Sequence, residues 1–413
     1  MAAIPQPRDW RTDGPPPAPI ALALLFVLTP FAALGCASAH PGLVSDDLAC
    51  APEDLRSVWW SGEGGFFGQG ELLVDGDGSH ALVADDFRAA SFGLADGVRA
   101  EASRSRLDLA DVAGLRVAMP RLEVDALGRN DLAGATDVFA IGTEGPLASI
   151  PWVVSRAEGG YTTVLARVGQ TNDHVTLLER ATRGAESERV FLRRVRVSEP
   201  SDEQRHEITS DVSLGASWGP APLFLVDEAR EVAFLVHSSE DAGAVEVLRV
   251  SLSTGERRAA HITLAEPAAV LGRSLLGAPE TAVLDVALSD DGATLFATTR
   301  DGRLRELDAE SLDEIGAPRA STLVVANPET YLPTLRSPLA ISPHGAWLAQ
   351  LDAEGRVAIS PRAGGAAVSL TSVTSVTVTS EGARTPNAMA VRFLPDGLLV
   401  VTDAGVERFR CAE

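Results

Sequence analysis

The sequence predicts an all-β fold built from a repeated unit, and three observations carry that expectation. From about residue 53 onward, short β-branched and apolar runs are broken by Gly, Asp, Asn and Pro. Few amphipathic helices of about ten residues or more can be drawn over the same stretch. Three segments in the second half of the chain align as strand, Asp-Gly-type turn, strand, Gly turn, strand, and their turn glycines Gly292, Gly345 and Gly397 recur every 52–53 residues.

The aligned units run over 286–308, 339–359 and 391–409. A glycine at the turn is expected to supply the positive φ that a tight hairpin needs. Weaker copies lie at 224–255 and 72–83, with another candidate at 152–165; residues 115–145 do not fall into register. From Gly78 to Gly397 the spacing holds six intervals of one unit, hence seven units, or six if 100–150 is one long insertion. The turns Ser289-Asp290-Asp291-Gly292, Ser342-Pro343-His344-Gly345 and Leu394-Pro395-Asp396-Gly397 resemble the Ser-Pro-Asp-Gly turns of WD-repeat-like and YVTN-type β-propellers, and Phe296-Ala297-Thr298-Thr299 resembles the YVTN strand. This resemblance, strong over about 285–410, implies a β-propeller of seven blades, with six as the alternative. Gly-His and Trp-Asp signatures are lacking, so it implies a fold and no activity.

A propeller closes only when its last blade meets its first. The last unit supplies three strands, 390–394, 398–403 and 406–410. Residues 54–60 are expected to add the fourth, antiparallel to 406–410. That pairing brings Cys50 close to Cys411, and in an oxidising compartment the two are expected to form a disulfide.

The export expectation comes from the leader. Arg8, Arg11 and Pro15-Pro16-Pro17 precede an apolar run over 20–28, which is short for a membrane span and suits a signal peptide. Ala33-Leu34-Gly35-Cys36 resembles the lipobox of bacterial lipoproteins. The resemblance implies cleavage before Cys36 and acyl chains on its sulfur and new amino terminus, so that contact with the membrane is through a lipid anchor only. Plain secretion and a membrane-tethered helix are the alternatives. The expected organisation is 1–36 signal peptide, 37–52 flexible tether and 53–413 β-propeller. The expected location is the cell envelope, at the outer membrane or the periplasmic face, or secreted.

Composition removes several functions. Apolar residues make up 45%, enough for a core, so wholesale disorder is excluded. A net charge of −22 repels phosphate and argues against nucleic acid. All 35 basic residues are arginine; a lysine Schiff base, a P-loop lysine and a kinase-type lysine are excluded.

Local motifs give no coherent active site. Gly215-Ala216-Ser217-Trp218-Gly219 matches the G-x-S-x-G pattern, but Pro220 and Pro222 follow where a helix should. Asp75-Gly76-Asp77-Gly78-Ser79 resembles the start of a calcium loop, with His80 where glycine belongs and Asp86 where a bidentate Glu belongs; a hairpin turn between 71–74 and 80–84 is the simpler expectation. Histidines 40, 80, 174, 206, 237, 261 and 344 have no metal-site spacing. Trp59 and Trp60 read as strand residues facing opposite sides, and Trp347 as core. Arg193, Arg194 and Arg196 read as a solvated outer strand or a docking patch, 199–207 as a solvated loop, and 371–379 as an outer strand open to strand addition. No catalytic residue, cofactor or metal is expected. The sequence points to a non-catalytic, envelope-anchored binding scaffold whose partner is an envelope protein or a small ligand. A lactonase- or hydrolase-type propeller enzyme and a carbohydrate-binding module using Trp59, Trp60 and Trp218 are the competing readings.

Overall fold

Strand after strand carries apolar residues at odd and even positions alike, as in Leu398-Leu399-Val400-Val401 and Phe234-Leu235-Val236. Side chains alternate across a strand, so such a strand must bury both faces. The computed structural model describes residues 48–61, 71–84, 88–103, 109–123, 132–155, 159–183, 186–208, 222–238, 244–264, 283–299, 301–320, 339–351, 357–370, 377–379, 382–384, 388–402 and 405–412. These residues form antiparallel sheets and two one-turn 3-10 segments, Pro52–Asp54 and Ala110–Val112.

The sheets are seven blades of a β-propeller. Blade 1 opens with Glu71–Val74, and blade 2 contributes Arg116–Glu123, Leu132–Ala140 and Ala148–Ser155. Blade 3 begins with Gly159–Val168, whose first residues also pair with the end of Ala148–Ser155. Blades 4, 5 and 6 begin with Leu223–Asp227, Val283–Leu288 and Leu339–Ile341. Blade 7 combines Ala388–Leu394, Gly397–Thr402 and Gly405–Cys411 with the N-terminal strand Leu55–Ser61. The opening strands of blades 3 to 7 and of blade 1 lie side by side in ring order.

Seven apolar cores, one between each pair of neighbours, fix the blade number and exclude the six-bladed alternative. Leu82 and Ala89 of blade 1 meet Val117 and Phe139 of blade 2. Ile150 meets Val175 and Leu177 between blades 2 and 3, and Leu178 and Leu192 meet Phe224 and Leu235 between blades 3 and 4. Phe234 and Val247 pack on Leu295 and Ala297, and Phe296 on Leu339 and Leu348. Ala349 and Ile359 pack on Leu398 and Val400, while Leu399 and Val401 pack on Ala81 and Phe92, closing the ring. Residues 115–145, unplaced by the repeat, contain two strands of blade 2.

The expected closure is present. Leu55–Ser61 runs antiparallel to Gly405–Cys411, pairing Leu55 with Cys411 and Trp60 with Glu407, with a bulge between Ser57 and Trp59. Cys50 and Cys411 form a disulfide across 361 residues, with Cα atoms 5.7 Å apart. The tether expected over 37–52 is corrected at its end. Leu48 is buried in the core between blades 6 and 7, the Ala49 N–H donates to the Pro395 carbonyl at 3.3 Å, and Pro52 is buried. Residues 1–47 lie outside the described residues.

Each Ser-x-x-Gly turn is a hydrogen-bonded unit. The Gly345 N–H donates to the Ser342 carbonyl at 2.8 Å, and buried Ser342 Oγ accepts the Trp347 N–H at 2.9 Å. Ser289 does the same for Gly292 and Thr294. Gly292 and Gly345 have φ of 60° and 77°, as expected. Gly397 does not have positive φ: it starts a strand, and a Cβ there would collide with the Phe409 carbonyl. A second correction concerns 371–379. Val368–Leu370 is the fourth strand of blade 6; Thr377–Thr379 pairs instead with Gly382–Arg384 in a separate hairpin, and 371–376 lie outside the described residues.

One rim of the ring carries a recurring latch. In six blades a backbone N–H at or just after the end of the third strand donates to the turn between the first and second. The pairs are Leu94 to Ser79, Val197 to Asp173, Leu252 to Glu231, Ala309 to Ala293, Arg362 to Ala346 and Cys411 to Asp396, at 2.8–3.1 Å.

Two outcomes are expected. Cys411→Ser lowers stability in urea unfolding by about 2–5 kcal/mol, and reduction of the native protein does the same. Ser342→Ala leaves the Trp347 N–H without its acceptor and costs about 1–3 kcal/mol, read from the urea midpoint.

Candidate functional site

The latched rim holds a cavity of ≈ 210 Å³ where blades 3 and 4 meet, with Glu71 and Leu73 of blade 1 reaching its lining. Its floor is the turn Gly169–Asp173, a run rich in residues that favour turns. The Glu228 carboxylate of blade 4 accepts the N–H groups of Gln170 at 2.7 Å and Thr171 at 3.2 Å, and the Thr171 hydroxyl at 2.9 Å. The Gln170 amide accepts the Arg116 N–H at 2.9 Å and donates to the Arg116 carbonyl at 2.7 Å, tying in blade 2. Arg194, buried, donates to Glu231 at 2.7 Å, and Arg167 lies 3.4 Å from Glu71. The charges of the cavity are thus tied across blades.

His174 lines the same cavity, and its buried Nδ1 has no hydrogen-bond partner among the described residues. Burial first, then Arg194 and Arg196, hold its pKa below the ordinary 6.5, against the opposing pull of Asp173 and Glu231. The neutral imidazole offers one donor and one acceptor to whatever enters. The arrangement supplies hydrogen-bonding recognition.

The arginines expected on a solvated outer strand, or as a docking patch, are instead paired. Arg194 holds Glu231, Arg196 lies 3.1 Å from Asp202, and Arg193 reaches both Glu203 and the buried Glu179, 3.0 Å away. Their strand, Glu186–Arg196, is the third of its blade. Glu203–Glu207, expected as a loop, is the fourth strand, and Arg205 on it also reaches Glu179, at 3.3 Å. A buried carboxylate needs such partners.

Other expected candidates disperse. Asp75 and Asp77 serve their own hairpin: Asp75 accepts the His80 N–H at 3.1 Å and the Ser79 hydroxyl at 2.9 Å, and Asp77 accepts the Ser79 N–H at 2.9 Å. Asp86 lies outside the described residues. Ser79 Oγ stands 2.7 Å from His80 Nδ1, but His80 Nε2 is 4.0 Å from Asp111, beyond a hydrogen bond. With Asp75 competing for the hydroxyl, this trio lacks the held base of a hydrolytic triad. His237 and His261 flank Glu246 at 3.4 and 3.6 Å, while His206 Nε2 contacts the Leu252 carbonyl at 3.0 Å. Among the described residues no group of His, Cys, Asp or Glu has the geometry to hold a metal ion. Trp59 is half-buried between blades 7 and 1 and donates to the Leu94 carbonyl at 3.0 Å; Trp60 is 45% exposed, and Trp347 packs on the core between blades 6 and 7. Gly215–Gly219, with Ser217 and Trp218, and His40 lie outside the described residues. The blade 3–4 cavity was missed because its members come from distant turns. The Gly169-Gln170-Thr171-Asn172-Asp173 run was the one local signal, and it reads equally as any loop.

No protein-family model matches the chain, and no curated protein matches it. Among solved structures the chain is similar to the β-propeller domain of Cps50 (Swd1) from Myceliophteria thermophila. The identity is 10%, the match covers 87% of this chain and 100% of that one, and the TM-score is 0.46. The architecture rests on the sheet order and the seven inter-blade cores described above.

The His174 environment has a pH consequence. Its folded-state pKa lies below the unfolded value near 6.5, so the unfolded chain takes up the proton first. The stability present above that value is lost as pH falls through it. Urea midpoints followed from neutral pH downward are expected to fall less steeply below about 6.5 in His174→Asn than in the native protein.

Proposed function

We propose that this chain is a non-catalytic binding scaffold, exported and held at the cell envelope by a lipid on Cys36. The observation that carries the scaffold reading is the latched rim, where the repeated backbone bond fixes turns within their blades and Glu228, Gln170 and Arg194 tie neighbouring blades together. Loops held this way present a fixed surface without reorganisation on binding. The export half of the proposal rests on the leader and the Ala33-Leu34-Gly35-Cys36 run, read from sequence.

The test is recovery of the tagged protein from crosslinked cells of its own source, read by mass spectrometry. One stoichiometric envelope partner, lost when Glu228→Ala loosens the rim, is the expected result. No partner above background would overturn the scaffold reading. Membrane fractionation checks the anchor separately: Cys36→Ser is expected to move the protein into the soluble fraction.

A further inference from the structure

Several arginines of this ring are held by carboxylates. Arg408 donates to both oxygens of Asp396 at 2.8 Å, Arg305 to Asp301 at 3.0 Å and to Glu314 at 2.7 Å, and Arg362 to Glu306 at 3.1 Å. Arg392 departs from that pattern. It sits on Ala388–Leu394, the opening strand of blade 7, and lines a cavity of ≈ 340 Å³. Leu72 of blade 1, Ile341 and Pro343 of blade 6 and Asp290 of blade 5 complete most of the wall. Among the described residues the guanidinium makes one hydrogen bond, from Nη1 to the Leu72 carbonyl at 3.0 Å, and no carboxylate stands within ion-pair distance.

We propose that this cavity is a binding site for a small, polar, singly charged carboxylate, held by the Arg392 guanidinium. A guanidinium fork with one donor used retains donors in the planar arrangement that matches the two oxygens of a carboxylate. Arg392 is exposed to solvent, with its stem desolvated by the surrounding wall. Burial is what pushes its pKa below the usual arginine range, with Asp290 acting in the opposite sense. The guanidinium feels the Asp290 charge without an ion-pair contact to it, and a ligand carboxylate supplies acceptors for the donors left unused. Asp290 faces the same space from the Ser289-Asp290-Asp291-Gly292 turn and disfavours a second negative charge on the ligand. The cavity volume suits a molecule of modest size. This site stands on the channel geometry alone and is independent of the envelope partner proposed above.

The probe is N-acetylglycine, compared with its uncharged isostere N-acetylglycinamide by ligand-observed NMR on the purified protein. The acid is expected to bind saturably and about tenfold or more tightly than the amide. Arg392→Gln is expected to abolish that preference, and Asp290→Asn to tighten the acid. Protection mapping supplies a readout on the native protein alone. Phenylglyoxal, which modifies arginine, is expected to label Arg392, and N-acetylglycine to suppress that label selectively. Equal binding of acid and amide by the native protein would overturn the site. So would labelling of Arg392 that saturating acid leaves unchanged, or acid binding that survives Arg392→Gln in a protein with native circular dichroism.

Discussion

A sheet with two apolar faces has no stable existence on its own. Each blade of this ring is such a sheet: Leu398 and Val400 face one neighbour while Leu399 and Val401 face the other. The fold therefore depends on closure, because an open row of blades would leave two apolar faces in water. Burying a large aliphatic side chain contributes on the order of 1.5–3 kcal/mol, and every interface holds several. Closure is where the chain invests most. Leu55–Ser61 completes blade 7, Leu48 plugs the core beside it, and the Cys50–Cys411 bridge joins segments 361 residues apart. By the chain-entropy account, a loop of that length confers up to about 5–6 kcal/mol. The bridge acts at the seam where peeling would begin.

Apolar packing sets the ring but does not orient its turns. That task falls to polar groups on one rim, and arginine does most of the side-chain work. Arg408 shows why. Its Nη2 meets both oxygens of Asp396 within its own blade while Nη1 donates to the Leu94 carbonyl of blade 1, the same atom that Trp59 reaches. A lysine ammonium is a point charge without the flat, spread donor geometry needed to serve both acceptors. Buried pairs such as Arg305 with Asp301, and the Arg193–Glu179–Arg205 group, carry a desolvation cost that their mutual bonds offset. Their value lies in specifying register, since a slip of one residue would strand a charge in the core.

Much of the fold was legible in the sequence because it is local and periodic. The Ser-x-x-Gly turns, their regular recurrence and the missing fourth strand of the last unit all follow from short-range rules of turns and alternation. Cys50 and Cys411 were legible for a different reason, as two cysteines flanking strands already expected to pair. What escaped was the geometry that departs from the repeat. Blade 2 lacks the Ser-x-x-Gly sequence between its first two strands, so the repeat gave no handle on it. Gly397 is required by the close approach of the Phe409 carbonyl and not by φ, a distinction invisible in a sequence where both cases are written Asp-Gly or His-Gly. The Thr/Ser-rich run at 371–379 has strand propensity, but Val368–Leu370 already occupies the outer place in blade 6.

Functional geometry was less legible, and the reason is topological. A ring gathers at its channel and rim one or two residues from each distant blade, so Gln170, Glu228 and Arg116, or Arg392, Leu72 and Asp290, share no spacing that a motif could encode. Residue type alone misleads as well. Arg193, Arg194 and Arg196 form the most conspicuous basic cluster in the sequence, yet each is held by a carboxylate. Arg392, without a basic neighbour in sequence, faces a cavity with one hydrogen bond made and donors unused among the described residues. In a protein that carries an excess of acids, an arginine facing a cavity with donors unused stands apart from the carboxylate-bound Arg193, Arg194 and Arg196. Chemistry is best sought where the structural uses of a residue type stop, and here they stop at the channel wall of blade 7.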